Sequence, residues 1–325
     1  MTDSITVVIP TYKRPDRLLG CLHSALAQAV PGRDVRVLVV DNDGGQSARP
    51  VVEALSDARV RYVCEPAPGV SNARNRAVAD VLAQPAPSRH IFFLDDDMIA
   101  EPGCVARLLS VMDAHGAGVA FAAVEAVMPE DMPGAAPMQP FFSRRPGIPE
   151  GPTQKGLGAG GSLFDLQRCP LPSPVFDPAC NETGGEDDLL LSHLLDAGVR
   201  FVWVPSAVTR ELVPAHRATL AYLWTRNFAF GQGPTQMAAD DLHHSRTRRE
   251  ALRARAAIAR WMGIGAAQFA LRLPAWLLTR ASRSDAHATA HAKLAQAAGK
   301  VLWWGDFRAV LYGASAPKAA SAELG

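Results

Sequence analysis

The chain has 325 residues, 48% of them hydrophobic, which is ample for a sizeable core and favours about two domains. Its formal net charge of +1 gives no overall field that would draw it onto nucleic acid, so we expect no nucleic-acid partner. Five widely spaced cysteines without a C-x-x-C pair exclude the usual spacing of zinc sites and disulfide frameworks.

The N-terminal stretch MTDSITVVIP lacks the basic and apolar regions of a signal peptide, and a cytoplasmic location is therefore expected. Over roughly the first hundred residues, short β-branched runs alternate with helical patterns, as is typical of a parallel sheet covered by helices. We predict one helix that opens at Pro15 and another that Ser71 caps. The predicted strands are ITVVIP, VRVLVV, VRYV and IFFL.

A segment rich in proline and glycine runs from residue 128 to residue 183. A loop region of this length inside a compact protein is usually a lid or a binding loop, and we predict that function here. It contains the glycine-rich stretch GLGAGGSLF at residues 156–164.

The next stretch, GGEDDLLLSHLLDAG, predicts a helix that is entered through Gly184 and Gly185 and stopped by Gly198. The strand VRFVWVP follows it. Beyond about residue 240, alanine, arginine and tryptophan at helical spacing predict a C-terminal helical region. We therefore predict an α/β domain at 1–240 and a helical extension at 241–325.

Three consecutive carboxylates, Asp95 to Asp97, directly follow the strand IFFL. Side chains alternate along extended backbone, so we expect Asp95 and Asp97 on one side and Asp96 on the other. Two carboxylates on one side form half of a site for Mg²⁺ or Mn²⁺, which commonly share protein carboxylates with substrate phosphates. The alternatives are a solvated loop, or Asp97 capping the following helix.

Polar residues at the other strand ends favour a metal nucleotide, because open α/β sheets bind ligands beyond the carboxyl ends of their strands. Arg74 suits a phosphate or a base edge, and Asp41 suits a nucleobase imide. Each alone has a plainer explanation: Asp41 can belong to a turn, and Arg74 can be an exposed helix residue.

A second carboxylate cluster, Glu186 to Asp188, lies at the start of a predicted helix. Acidic residues in a first helical turn ordinarily complement the helix dipole, by about 0.3 to 1 kcal/mol each. The double glycine before them lets a ligand approach the backbone closely, which favours a functional role. Asp187 is then a candidate general base.

The motifs PTYKR, VVDND, GVSNARNRA, FFLDDDM and GGEDDLLL, in this order, resemble those of the family 2 glycosyltransferases of the GT-A fold. The resemblance covers residues 4 to 233. It implies an α/β fold with a mixed, mainly parallel sheet flanked by helices. It also implies an inverting transferase that uses a nucleotide-diphosphate sugar and a divalent cation, Mn²⁺ or Mg²⁺. Uridine is the favoured nucleoside of that donor.

The resemblance assigns roles to particular residues. Asp187 would be the catalytic base, Glu186 beside it would contact the acceptor, and Gly161 and Trp224 are further acceptor-binding candidates. Asp97 would hold the metal and Asp95 the ribose or sugar. The implied donor-binding residues are Thr11, Tyr12, Arg14, Asp41, Arg74, Asp95, Asp96 and Asp97.

The chain departs from the family pattern in two places. Members often carry a histidine metal ligand after the strand that follows the helix of the E-D pair, here Glu186 and Asp187. In this chain the sequence at that place is VPSAVTRELVPAHR. It offers Glu211, which lies nearer the expected position, or His216, which can be an ordinary surface histidine. The Q-x-x-R-W signature of processive synthases is missing, which favours one sugar per encounter. Trp224 and Phe228 can close over the acceptor or pack as a helix face.

Residues 261–280 approach the length of a membrane span but are interrupted by Arg272 and Pro274, so no transmembrane helix is predicted. The alternatives are an interfacial helical region on an anionic inner leaflet, which would suit a lipid-linked acceptor, and a soluble helical cap. The basic and aromatic residues concerned are Arg246, Arg248, Arg249, Arg253, Arg255, Arg260, Trp261, Trp276, Trp303 and Trp304.

The expected function is transfer of a single sugar to a hydroxyl of a glycan, a lipid-linked saccharide or another small acceptor, in cell-surface polysaccharide or glycoconjugate biosynthesis. One rival is a nucleotidyltransferase acting on sugar phosphates, although PTYKR stands where its glycine-rich phosphate loop would be. The other is a non-catalytic sugar-nucleotide or carbohydrate-binding protein, which would not require a base at Asp187.

Overall fold

The computed structural model describes residues 1–181, 184–282, 284–307 and 309. The chain divides by packing into two compact units. Unit 1 comprises Met1–Val127 and Ser143–Leu212, and unit 2 comprises Met128–Phe142 and Val213–Gly325. The boundary predicted at residue 240 falls inside a helix of unit 2, Leu220–His244.

Unit 1 contains a mixed sheet that has nine strands within the described residues. The strands are β1 (Thr2–Thr11), β2 (Val35–Asp41), β3 (Val60–Cys64), β4 (Ser88–Phe93), β5 (Met98–Ala100), β6 (Val119–Val127), β7 (Gly151–Thr153), β8 (Ser162–Asp165) and β9 (Phe201–Leu212).

The helices of the described residues are α1 (Pro15–Leu26), α2 (Arg49–Leu55), α3 (Val70–Leu82), α4 (Cys104–His115), α5 (Gln139–Phe142), α6 (Glu186–Asp196), α7 (Leu220–His244), α8 (Arg248–Thr279) and α9 (Asp285–Val301). Short 3-10 helices occur at Pro133–Met138, Pro178–Cys180 and Gly305–Phe307.

The strand order is β3-β2-β1-β4-β8-β6-β9-β5, with β7 also paired to β9. Neighbours from β3 to β4 are parallel, as are β6 and β9. Strand β8 is antiparallel to both β4 and β6, and β9 is antiparallel to β5 and β7. The predicted fold class is confirmed: a mixed sheet flanked by helices, with helices α7 to α9 forming a C-terminal helical region.

Alternating side chains of the buried strands supply two cores, one on each face of the sheet. Val7 and Ile9 of β1 pack on one face with side chains of α1, α2 and α4. Val8, between them, packs on the other face with side chains of α3 and α6. This layering holds the carboxyl ends of β1, β2 and β4 at one edge, where Thr11 and Asp41 are register partners.

Two expectations about local structure were wrong. Helix α3 is not capped by Ser71, because it begins at Val70 and its N-cap is Gly69, at a φ of 131°. A Cβ at Gly69 would overlap the side chain of Asn181, so only glycine fits this turn. The proline- and glycine-rich segment is not an irregular loop throughout, since it supplies β7 and β8, the latter in the middle of the sheet; its role as a lid or binding loop stays a prediction.

Unit 2 packs α7, α8 and α9 side by side. Helix α8 starts with a capping box, in which Thr247 accepts from the backbone N–H of Glu250 and the Glu250 carboxylate accepts in return from the N–H of Thr247. In the part of the chain that the structure describes, no helix has both the length and the apolar character needed to cross a membrane.

Candidate active site

The aspartate triplet lies in a tight turn beyond the end of β4. The N–H of Met98 donates to the carbonyl of Asp95 (2.9 Å), which closes the turn before β5 begins. The expected alternation of Asp95 and Asp97 against Asp96 was therefore wrong, because it requires extended backbone.

Asp96 and Asp97 are held by residues that follow β1. Thr11 donates from its hydroxyl to Asp96 Oδ2 (2.8 Å), and Arg14 donates from Nη1 to Asp96 Oδ1 (3.1 Å). The same Nη1 lies 3.4 Å from Asp97 Oδ2. Both carboxylates are buried, so this guanidinium compensates two adjacent negative charges that could not otherwise be desolvated together.

Asp97 faces a second carboxylate, Glu211, on strand β9. Strands β5 and β9 pair Met98 with Glu211, and the N–H of Leu212 donates to the carbonyl of Asp97 (2.8 Å). Burial, followed by the negative charges of neighbouring carboxylates including Glu211, raises the pKa of Asp97 to about 7. This environment favours a cation.

The residues present fit a magnesium-type ion. Such an ion is commonly bound through one or two protein carboxylates together with substrate phosphates, and Asp97 and Glu211 supply two hard oxygen donors. No cluster of three or more His, Cys, Asp or Glu side chains arranged for a metal occurs among the described residues.

Arg74 joins the two carboxylate clusters. Its guanidinium donates from Nη1 to Oε1 of Glu186 (2.6 Å) and from Nη2 to Oδ1 of Asp95 (3.2 Å). Arg74 and Glu186 are both buried, and burial raises the pKa of Glu186 although Arg74 opposes the shift. The aspartate triplet and the E-D pair, Glu186 and Asp187, lie far apart in the sequence but belong to one site in unit 1 through the contacts of Arg74.

Asp187 contacts the glycine-rich stretch on the other side of the site. The N–H of Ala159 donates to Asp187 Oδ2 (3.1 Å), and the N–H of Asp188 donates to Asp187 Oδ1 (3.0 Å). A Cβ at Gly160 would overlap Asp95 Oδ2, and one at Gly158 would lie 3.2 Å from Asp187 Oδ2. The stretch thus passes between Asp95 and Asp187, and its glycines make room for both carboxylates.

Arg144 is a site residue that the sequence analysis missed. It donates to the carbonyls of Ala122 (from Nε, 3.1 Å, and Nη2, 2.9 Å), Gly161 (from Nη2, 3.2 Å) and Leu157 (from Nη1). Burial lowers the pKa of Arg144 to about 10, while the charges of Asp95, Asp187 and Glu211 act against that shift. Arg144 therefore clamps the glycine-rich stretch and places a positive charge among the site carboxylates.

Asp41 is fully buried and holds its own loop. Its Oδ1 accepts from the N–H of Asp43 (3.1 Å), and its Oδ2 accepts from the N–H of Ala48 (2.8 Å) and the hydroxyl of Tyr62 (3.0 Å). These three bonds use most of the acceptor positions of the carboxylate. A direct contact between Asp41 and a nucleobase stays a prediction.

The other predicted site residues lie in different settings. Tyr12 is exposed at the end of β1, with Lys13 Nζ 5.1 Å from the centre of its ring. Gly161, at a φ of 71°, belongs to the clamped stretch. Trp224 and His216 belong to unit 2, where Trp224 makes an edge contact with a histidine of α9; their predicted roles stay predictions.

A sheet of this topology, with the acidic turn beyond β4 and the acidic first turn of α6 meeting in one site, defines a GT-A glycosyltransferase fold. The family model described as "Glycosyl transferase family 2" matches residues 6–160. The succinoglycan biosynthesis protein ExoM of Rhizobium meliloti (strain 1021) is 31% identical over 247 residues, which cover 74% of this chain and 76% of that protein. The chain belongs to the family 2 glycosyltransferases.

Two further proteins resemble the chain over parts of their length. The succinoglycan biosynthesis protein ExoO of the same organism is 32% identical over 117 residues, or 36% of this chain and 32% of that protein. The crystal structure of GalNAc-T7 with UDP, GalNAc and Mn²⁺ matches with a TM-score of 0.50 at 14% identity, over 71% of this chain and 50% of that one. At this identity the likeness concerns the fold alone.

Proposed function

We propose that this protein transfers a single sugar, with inversion, from a nucleotide-diphosphate sugar to the hydroxyl of a glycan or lipid-linked acceptor. The observation that carries the proposal is the bridge from Arg74 to Asp95 (3.2 Å) and Glu186 (2.6 Å). It supports the proposal because it holds Asp95 and Glu186, and with them the proposed donor ligands and the neighbouring candidate base, in one site, as a displacement reaction requires.

Asp187 is the base in this mechanism. Its half-buried carboxylate is oriented by two backbone N–H groups and accepts the proton of the acceptor hydroxyl. The oxygen of that hydroxyl attacks the anomeric carbon of the sugar, and the bond from this carbon to the diphosphate oxygen breaks. The nucleoside diphosphate leaves with the electron pair, so no covalent sugar on the enzyme is formed.

The donor is bound by the residues that follow β1 and β4. We assign the exposed ring of Tyr12 to the nucleobase, the partly exposed carboxylate of Asp95 to a sugar or ribose hydroxyl, and Asp97 with Glu211 to a divalent cation. When bound, such a cation stabilises the charge that develops on the departing diphosphate. Arg74 acts by holding Asp95 and Glu186 in place.

The biological setting follows from the relatives. ExoM and ExoO are named as succinoglycan biosynthesis proteins, and we propose that this chain likewise takes part in cell-surface polysaccharide biosynthesis. UDP, present in the GalNAc-T7 structure, agrees with a uridine donor. The absent Q-x-x-R-W sequence agrees with one sugar per encounter.

The test is Asp187→Asn, which keeps the shape of the side chain and removes its basicity. We expect transfer to fall by about 100-fold or more, while affinity for the donor, measured by calorimetry, stays within about twofold of wild type. Released nucleoside diphosphate supports glycosyl transfer, whereas released pyrophosphate would support nucleotidyl transfer. Unchanged turnover in this variant would remove Asp187 from the mechanism.

Asp97→Ala tests the metal assignment. We expect this variant to lose the stimulation of donor binding by Mn²⁺, because the remaining carboxylate Glu211 would have to hold the ion alone. Asp43→Ala is a matched control, since Asp43 is a partly exposed carboxylate whose side chain accepts from the N–H of Gly45 in a neighbouring loop. Retained metal stimulation in Asp97→Ala would count against the assigned role.

A further inference from the structure

Helix α8 of unit 2 packs on one side only. Of its 32 residues, Ala254 and Gly265 are buried. The packed side faces α9, where Arg272 donates from Nη1 to the carbonyl of Lys293 (2.9 Å). A long helix whose other residues are largely exposed would ordinarily carry polar side chains on its outer face.

The outer face of α8 is instead apolar. Exposed apolar residues recur every three or four positions, and from Gly263 to Leu278 every exposed residue is apolar. Leu271 and Leu278 are 80% and 85% exposed. Single exposed leucines are ordinary, but these two belong to a continuous apolar face, which marks an interaction surface. We call this face the apolar stripe; it is marked by Leu252, Ala259, Gly263, Leu271, Pro274 and Leu278.

The stripe spans 26 helical steps, or about 39 Å along the helix axis. Its first half is bordered on both sides by exposed arginines. Glu250 is the only acidic residue between 246 and 283 in the sequence, and its carboxylate is engaged in the capping box. The bordering arginines are Arg248, Arg249, Arg253, Arg255 and Arg260.

We propose that the apolar stripe of α8 is a docking face for the surface of an anionic lipid bilayer. An interfacial helix buries an apolar face at the level of the headgroups while basic residues beside it contact anionic lipids. A second copy of this chain is a poorer occupant, because the same segment of that copy would offer the arginines no acidic partner besides Glu250, whereas anionic headgroups complement them. The proposal does not depend on the transfer reaction proposed above.

Aromatic residues at the end of α9 agree with this placement. Lys300 of α9 packs beside Gly265 of α8, and Lys293 lies beside Arg272, so the two helices run antiparallel. Just beyond the end of α9, Trp304 is exposed, and the carbonyls of Leu302 and Phe307 on either side of it accept from Gln232 of α7. Tryptophan favours the interface between membrane and water.

The test is co-sedimentation of the full chain with vesicles of phosphatidylcholine, with and without phosphatidylglycerol. We expect binding to the anionic vesicles alone, weakened by salt. Leu271→Glu/Leu278→Glu should lower the partition coefficient by at least about tenfold. The matched control is Leu19→Glu/Leu82→Glu, which changes two exposed leucines of unit 1 and should leave binding unchanged.

The charge contribution is tested with Arg249→Gln/Arg253→Gln/Arg260→Gln, for which we expect about 100-fold weaker binding to anionic vesicles. Leu278→Trp adds a gain-of-signal measurement that does not rely on loss of function. Its extra fluorescence should be quenched by acyl-brominated lipid if the stripe enters the interface.

Several outcomes would overturn the proposal. The first is equal binding to vesicles with and without phosphatidylglycerol. The second is vesicle binding that persists after both the leucine-to-glutamate and the arginine-to-glutamine substitutions. The third is absence of vesicle binding together with concentration-dependent dimers that Leu271→Glu/Leu278→Glu abolishes. Transfer to a soluble acceptor, measured on the same samples, shows whether the proposed function stands when docking fails.

Discussion

Replacing Arg74 by methionine removes the cation that joins the two carboxylate clusters while keeping an unbranched, buried side chain. Glu186, 8% exposed in its side chain, would keep its desolvation and lose its partner at 2.6 Å. Breaking a buried ion pair from one side destabilises a protein by about 3 to 5 kcal/mol. That is a large part of a typical stability of about 5 to 15 kcal/mol.

Denaturant unfolding followed by circular dichroism measures this loss, and two further variants isolate its cause. In Arg74→Met/Glu186→Gln the buried charge is gone, so most of the lost stability should return. Arg36→Met is the matched surface control: Arg36 and Asp34 lie 3.5 Å apart and are both exposed, so the change should be at most about 0.5 kcal/mol.

The pH dependence of Arg74→Met has a defined sign. Without the arginine, burial raises the pKa of Glu186 still further above its unfolded value. At pH values between these two pKa values, the folded state therefore binds more protons than the unfolded state. The deficit relative to wild type should therefore grow as pH rises through the raised folded pKa of Glu186 and shrink as pH falls toward its unfolded pKa. An Arg74→Met deficit that is independent of pH, or unchanged by Glu186→Gln, would refute the reasoning.

Two further predictions concern the glycine-rich stretch. Gly160→Ala places a Cβ against Asp95 Oδ2, so it should destabilise the protein by about 1 to 3 kcal/mol and weaken donor binding. The control Gly263→Ala, with open space around its Cβ, should stabilise the protein by up to about 1 kcal/mol. Equal melting temperatures of the two variants would contradict this prediction. Arg144→Lys keeps the positive charge but loses the guanidinium hydrogen bonds to the carbonyls of Ala122, Leu157 and Gly161. Hydrogen exchange of the amides in the glycine-rich stretch should therefore speed up, and sugar transfer should fall by about 100-fold. Wild-type exchange in that variant would show that Arg144 is not the clamp.

The sequence predicted the parts of the fold that depend on local signals. Helix α1 begins at Pro15, as predicted, because proline at a first helical position needs no hydrogen-bond partner. Helix α6 follows Gly185, whose φ is 91°, and Gly198 comes directly after the last turn. Strands β1 to β4 lie where β-branched runs indicated: β1, β2 and β4 are mainly buried between two helical layers, and β3 is a partly buried edge strand.

The parts that were missed depend on contacts distant in sequence. Strand β8 has four residues in a segment rich in glycine, and only its pairing with β4 and β6 makes it a strand. Arg74 and Glu186 are separated by 112 positions, so no local pattern shows that one neutralises the other. Arg144 follows a helix in a proline-rich segment, and its only sequence signal is an arginine ahead of a glycine-rich stretch.

The charges collected at the site give a physical reason for a divalent cation. Among its described side chains, we count six carboxylates (Asp95, Asp96, Asp97, Glu186, Asp187 and Glu211) against three guanidinium groups (Arg14, Arg74 and Arg144), so six minus three leaves an excess of three negative charges. An Asp97 pKa of about 7 lowers that excess only partly at neutral pH. A diphosphate adds negative charge of its own, so it should bind with a cation that offsets both.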